Sequence, residues 1–334
     1  MKELFRANIK KSVKFLSENP AYIKMLFDLH HAYFSAVGKD AKLTQITPSF
    51  IKDPASRELK IEWPVLELSP TPPDLTLYAI KYIFRGILLG LRFIEVGDYN
   101  KNKTFLAVAV FSYYTASFHL IQALLALNGR VIIKPTNIQS SGLALNNSLI
   151  MAKLTTENRW VFNRLSQSHG AIWKNLDIIL AGIDKESLKL FVQFFYYILA
   201  PEMQPPNDEG ELIRKGLEKV SQIRHEAIYE GYGFDDFFFL EGFAVGEEGD
   251  RSPIENLTNK AVAYKLFSRE LLKLCLKDAF ELKKTSLDAY WEEVKDMVTY
   301  CILIPPFEQG KPDLSDDPEL DAQVKGLLHW LGIA

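Results

Sequence analysis

Helical periodicity dominates this chain and fails in only a few places. Over 2–16 apolar residues recur at three- and four-residue intervals with Lys and Arg between them, and a second helix is expected over 21–37 beyond Asn19-Pro20. From Lys39 to Asp74 six prolines break the pattern, and only Glu58 to Leu68 alternates in the manner of a strand or hairpin arm. Long helices are expected over 74–96 and 103–127, the second stopping at Asn128-Gly129. The runs 130–134 and 149–154 read as short β segments around a Ser/Asn/Gly-rich loop, a hairpin set between helices. Further helices are expected near 156–181, 185–200, 209–229, 254–283, 286–302 and 318–331. The segment 231–250 places five phenylalanines among acidic residues and follows neither period; it reads as a loop over the core or a cap on a binding surface.

The expected fold class is therefore mainly α: an antiparallel helical bundle with added helices and one or two short β-hairpins. At 334 residues the chain is long enough for one elaborated domain or two small ones. A division into 1–103 (helices plus the Pro-rich connector), 104–235 (helical core) and 236–334 (helical extension), all within one continuous globular unit, follows from the pattern. With 48% hydrophobic and 24% charged residues the composition is that of a globular protein, not a disordered or fibrous one.

The stretch from Thr104 to Gly129 contains no charged residue, which raises the question of a membrane span. Ser112, Thr115, His119 and Gln122 answer it: their spacing of three, four and three puts them in one stripe of the helix. A single polar stripe on an apolar helix suits the centre of a soluble core, and the reading is of a protein that does not engage a membrane. The segment 1–16 lacks a continuous apolar run with a small-residue cleavage site and reads as an amphipathic helix rather than a signal peptide. A cytoplasmic location is expected.

A net charge of -3 provides no global attraction to polyanions, so any such site must rest on a local basic patch. Lys81, Arg85 and Arg92, spaced four and seven, form one candidate row, and Gly86 and Gly90 on the same helix suggest close helix packing. Arg224 is the second candidate. It continues an apolar stripe through Ile213, Leu217 and Val220, and a guanidinium on a buried face needs a carboxylate, a polar stripe or a bound phosphate. The Ser112–Gln122 stripe is its obvious partner. Cys275 and Cys301 have no nearby cysteines and read as buried thiols, and the adjacent His30-His31 point apart on a helix. No metal-ligand spacing, phosphate-binding glycine loop or nucleophile elbow occurs, so neither cofactor nor metal is expected.

Three stretches carry a family resemblance. Tyr113-Tyr114-Thr115-Ala116-Ser117-Phe118-His119, followed by Ala123-Leu124-Leu125, resembles the opening helix of HEPN domains, and Ser168-His169-Gly170 is similar to that family's next element. Arg224-His225-Glu226-Ala227-Ile228-Tyr229 resembles a Tyr-ended variant of the family's Arg-polar-x-x-x-His motif. The resemblance covers roughly residues 104–235 and does not extend to either terminal region. It implies a helical dimer in which Arg and His of two protomers cleave RNA without metal, the 2′-hydroxyl attacking the adjacent phosphate. Such chemistry needs a guanidinium for phosphorane charge and a group that moves protons.

This sequence departs from the family at the second group. Tyr229, Glu230 and Gly231 stand where the histidine is expected, and a phenol of pKa about 10 is a poor base at neutral pH. His225 lies beside Arg224 but about 100° round the helix, which makes His119 the more attractive compensating group. Arg164 and His169 also fit an Arg-x4-His spacing, with Leu165 in place of the polar residue and in the wrong helix for the motif. Two functions are expected from these residues. One is a metal-independent endoribonuclease, or a degenerate relative, of defence or toxin–antitoxin type, homodimeric, with Arg224, His225, Tyr229 and His119 at its centre. The other is a non-catalytic helical module that binds RNA, a nucleotide or a protein partner, with Ser112, Thr115, Gln122, Lys81, Arg85 and Arg92 as contacts.

Overall fold

A computed structural model describes residues 2–18, 49–52, 59–62, 76–102, 105–133, 139–140, 143–144, 149–156, 158, 160–165, 173, 185–199, 210–216, 219–220, 253–292, 295 and 314–333. The described chain is mainly helical: α1 (Lys2–Glu18), α2 (Thr76–Asn102), α3 (Leu106–Leu127), α4 (Lys185–Leu199), α5 (Pro253–Leu282) and α6 (Pro318–Trp330). The expected helix over 21–37 and the segment 231–250 lie outside the described residues. Two compact units are each assembled from separate stretches. One comprises 1–85, 125–168 and 277–303, the other 86–124, 169–276 and 304–334.

The first unit holds α1 and an antiparallel sheet. Its strands are β1 (Ser49–Lys52), β2 (Leu59–Glu62), β3 (Arg130–Ile133), β6 (Leu149–Leu154) and β7 (Trp160–Leu165), in the order β1-β2-β7-β6-β3, while β4 (Gln139–Ser140) and β5 (Leu143–Ala144) pair separately. The expected hairpin forms as β3 and β6, with Val131 opposite Ala152. The sheet is nevertheless larger than one or two hairpins, because β7 occupies the start of the helix expected over 156–181. Its residues explain this: Trp160, Val161 and Phe162 are aromatic and β-branched, favouring a pleated surface over a helix. Arg164 pairs with Ile150 across the sheet, which removes it from any helical Arg/His motif. Gly129, at φ +70°, makes the turn from α3 into β3, and its carbonyl accepts the Leu154 amide at 2.8 Å.

One side of α1, with Phe5, Ile9 and Val13, is fully buried. It is held by a π-helical turn, Lys283–Leu287, that continues α5. There the Ser286 hydroxyl donates to the Arg6 carbonyl at 3.1 Å, and Lys2 pairs with Asp278 at 2.7 Å. The expected break between helices near 283–286 is thus a change of helical winding, π then 3-10 over Asp288–Tyr290.

In the second unit α2 and α3 run antiparallel with glycine at the seam. A Cβ on Gly86 would lie 2.7 Å from the His119 carbonyl oxygen, one on Gly90 2.5 Å from Leu120, and one on Gly97 2.5 Å from the Tyr113 ring. Gly86 also meets Ala123 Cβ at 2.9 Å, and from Ala123 through Leu120 to Tyr113 the partner's number falls as the glycine's rises, which is the register of an antiparallel pair. Beside this pair, aromatic side chains from α3, α4 and α5 fill the core. Phe194 stacks on Phe267 with centroids 4.1 Å apart, Trp173 lies between Tyr114 and Phe267, and the Trp173 indole donates to the Tyr114 hydroxyl at 3.3 Å.

The C-terminal α6 is fastened to α5 by charge. Buried Arg269 donates to both oxygens of Asp316 at 2.6 and 2.7 Å, and Lys273 pairs with Asp317 at 2.7 Å and Glu270 at 2.9 Å. Asp317 also caps α6 through the Leu320 amide. The Arg269 hydrogen bonds hold the Asp316 carboxyl below its usual range. Burial opposes ionisation of Asp317, but Lys273 and the Leu320 amide outweigh it and lower its pKa as well. Burial likewise opposes the Lys273 charge, and the two carboxylates overcome it and raise that pKa.

Two predictions follow from these contacts. Gly86→Ala gains about 1 kcal/mol of helix propensity, yet the methyl meets a backbone oxygen that cannot swing aside; we expect net destabilisation of about 1–3 kcal/mol in urea melts. A more stable variant would mean that the seam opens without cost. Asp316 and Asp317 have folded pKa values below the ordinary 3.8 of the side chain, so their contribution is present above that value and lost as pH falls through the folded one. Replacing both with Asn should lower stability at neutral pH and flatten its decline below about pH 5; parallel pH profiles for the variant and the parent would contradict this.

Candidate functional site

Four charges enter the second half of α2 at intervals of three, Arg92, Glu95, Asp98 and Lys101. This spacing gathers them on neighbouring positions of one helix side. Asp98 and Glu95 are both buried, at 5% and 4% exposure. Asp98 Oδ1 accepts from the Tyr113 hydroxyl of α3 and from Lys265 Nζ of α5, each at 2.7 Å. Glu95 Oε2 accepts from Arg92 Nη1 at 2.6 Å, whereas Glu95 Oε1 is buried with no hydrogen-bond partner among the described residues. The cluster ties α2, α3 and α5 together through a carboxylate that must stay paired, since removing one partner from a buried ion pair costs about 3–5 kcal/mol.

His119 sits on α3 against this helix. Its ring stacks on Phe93 with centroids 5.6 Å apart and planes 12° from parallel, and meets Phe118 edge-on at 5.8 Å. Phe93 follows Arg92 directly, and the antiparallel register therefore brings His119 to the level of Arg92. Both side chains are part-buried rather than sealed.

The polar stripe has a different role from the one its spacing suggests. Ser112 Oγ donates to the Val108 carbonyl and Thr115 Oγ1 to that of Phe111, both at 2.8 Å. These hydroxyls satisfy themselves on their own helix, which is how a serine or threonine is accommodated in an apolar helix without a partner. Thr115, His119 and Gln122 are half-buried, and Val108 and Phe111 on the same side are exposed, so this is the outward side of α3. Leu106–Leu127 is the one described helix long and apolar enough to cross a membrane, and two thirds of that window is buried in the protein, as in a core helix.

The candidate basic row divides. Arg85 is exposed and Lys81 half-buried, both in the first unit, while Arg92 belongs to the second and is engaged with Glu95. Arg224, His225 and Tyr229 lie outside the described residues, as do His169, Cys301 and His30-His31. Cys275 is a buried free thiol 3.3 Å from the Leu120 carbonyl. Among the described residues no three His, Cys, Asp or Glu side chains are placed to hold a metal ion. The Asp98–Glu95 pair was the feature missed from the sequence. Its signal was there, in two acids three apart on a helix with no other acid.

No family model, curated protein or solved structure matches this chain.

The Asp98 junction makes a graded prediction. Lys265→Met removes the cation from a buried carboxylate and should cost about 3 kcal/mol. Tyr113→Phe removes a single hydrogen bond and should cost about 1 kcal/mol. Thermal melts of the two variants read the order directly, and a reversed order would show that Lys265 is not the ion that holds Asp98.

Proposed function

We propose that this chain is a HEPN-like protein acting on RNA as a metal-independent endoribonuclease or a degenerate relative of one, of defence or toxin–antitoxin type. Support comes from the helix carrying the resemblance: α3 forms over the matching residues and holds His119 half-accessible at the level of Arg92. In this reading Arg224 stabilises the developing charge on the phosphorus, His119 moves the proton, and His225 and Tyr229 assist. The active form is a homodimer with Arg224 near the two-fold axis. Ser117 and the two tyrosines of the motif are consumed structurally, since Tyr113 serves Asp98, Tyr114 serves Trp173 and Ser117 Oγ bonds the Tyr113 carbonyl. The chemistry therefore falls to the histidine and the arginine.

One observation favours the second reading, a non-catalytic module that binds RNA, a nucleotide or a protein partner: Tyr229, Glu230 and Gly231 stand where the motif's histidine is expected, which leaves the site short of a proton-moving group. Ser112 and Thr115 bond their own helix and Arg92 is occupied by Glu95, so three of the expected ligand contacts are already engaged.

A cleavage assay on single-stranded RNA in EDTA separates the two. The parent should cut, and Arg224→Ala and His119→Gln should each slow cutting by about 100-fold or more while light scattering still reports a dimer. Intact RNA that is nonetheless retained by the protein favours the binding module, and a monomer that cleaves would overturn the shared-site geometry.

A further inference from the structure

A charged face remains that neither reading uses. On α1 five cations, Lys2, Arg6, Lys10, Lys11 and Lys14, stand against two acids, Glu3 and Glu18, in a chain whose net charge is -3. Arg6, Lys10 and Lys14 are spaced by four, which places them in one row with about 6 Å of rise between neighbours. Lys11 lies beside them. Lys10, Lys11 and Lys14 are exposed and Arg6 half-buried, and Arg6, Lys10 and Lys11 make no ion pair among the described residues. Lys14 has only the exposed pair with Glu18 at 3.7 Å, a contact too weak to withdraw it from a ligand. The π turn bonded to the Arg6 carbonyl adds exposed Lys284.

We propose that the outer face of α1 is a phosphate-binding ridge for a nucleic-acid strand. A basic amphipathic helix ordinarily suggests a membrane surface, but that mode requires an apolar face free to enter the acyl boundary. Here that face is spent, with Phe5 at 1% and Ile9 and Val13 at 0% exposure. Charge alone is left to bind with, and a linear polyanion meets a linear row of cations along its length. The ridge presents long, flexible cations to the phosphates, and the amide and hydroxyl groups of α1 that would add directional hydrogen bonds to base edges, Asn8 and Ser12, are buried. Binding is therefore sequence-tolerant and salt-dependent. The ridge is independent of the cleavage reading, since α1 carries none of the residues assigned to it.

The test uses the full chain and two probes that cannot undergo 2′-hydroxyl attack, a fluorescent 2′-O-methyl oligoribonucleotide and oligo(dT), between about 50 and 200 mM salt. Equal binding of both probes assigns the contact to the phosphodiester backbone, and preference for the first assigns it to RNA; either supports the ridge. The combined variant Lys10→Gln, Lys11→Gln, Lys14→Gln should lower the log–log salt slope by about 2, three contacts at about 0.7 each. A charge-matched control, Lys153→Gln, Lys189→Gln, Lys325→Gln, alters exposed lysines elsewhere and should leave the slope unchanged. All these sites are exposed, and circular dichroism verifies that both variants fold. Equal losses in the two variants, or no salt-dependent binding by the parent, would overturn the proposal. So would competition in which vesicles containing anionic phospholipid displace the oligonucleotide.

Discussion

The close approach of α2 and α3 is the constraint on which the helical unit rests. Three glycines remove side chains where the helices meet, so backbone and ring atoms come within distances no Cβ would tolerate. That approach brings Tyr113 within reach of Asp98 and sets His119 on Phe93. Were the helices further apart, the Tyr113 hydroxyl would no longer reach the Asp98 carboxylate, to which Lys265 also donates. The seam thus determines the packing, the polar junction and the placement of the candidate histidine together.

The junction also shows how a single helix serves two kinds of demand. Along α2, apolar residues such as Ile83, Ile87, Leu91 and Ile94 are buried at 0% exposure, yet Glu95 and Asp98 are buried as well. Burying carboxylates is tolerable only because Arg92, Lys265 and Tyr113 surround them with donors. Among the described residues the second oxygen of Glu95 is where this compensation stops short, two positions along α2 from the Phe93 that packs on His119.

Much of the helical layout could be read from the sequence because its signals are local. The limits of α4, α5 and α6 follow from periodicity and from Pro, Gly and Asp punctuation; Gly86 and Gly90 pointed to tight packing, and the β3–β6 hairpin from two short apolar runs was equally local. What escaped was decided by partners distant in sequence. Trp160–Leu165 has a pattern compatible with either period, and only β2 and β6 on its two flanks make it a strand. The Ser112–Gln122 stripe was visible as a stripe, but spacing alone does not reveal whether a hydroxyl turns outward or bonds the carbonyl four residues back. Arg92 was legible as a cation and not as the partner of Glu95, although the interval of three contained that pairing. Of the residues assigned to catalysis, only His119 falls within the described chain, so the site was legible as a resemblance and as one placed histidine.

The π turn that holds α1 has a consequence for how the chain is made. Its bond to Arg6 spans 280 residues, so α1 leaves a ribosome well before the segment that covers its apolar side. At about 5–20 residues per second that interval lasts tens of seconds. Throughout it Phe5, Ile9 and Val13 lack their final neighbours while the five cations beside them are already in water. Charge on a nascent helix of this kind keeps it soluble and discourages self-association, so the same lysines act first as a guard during synthesis.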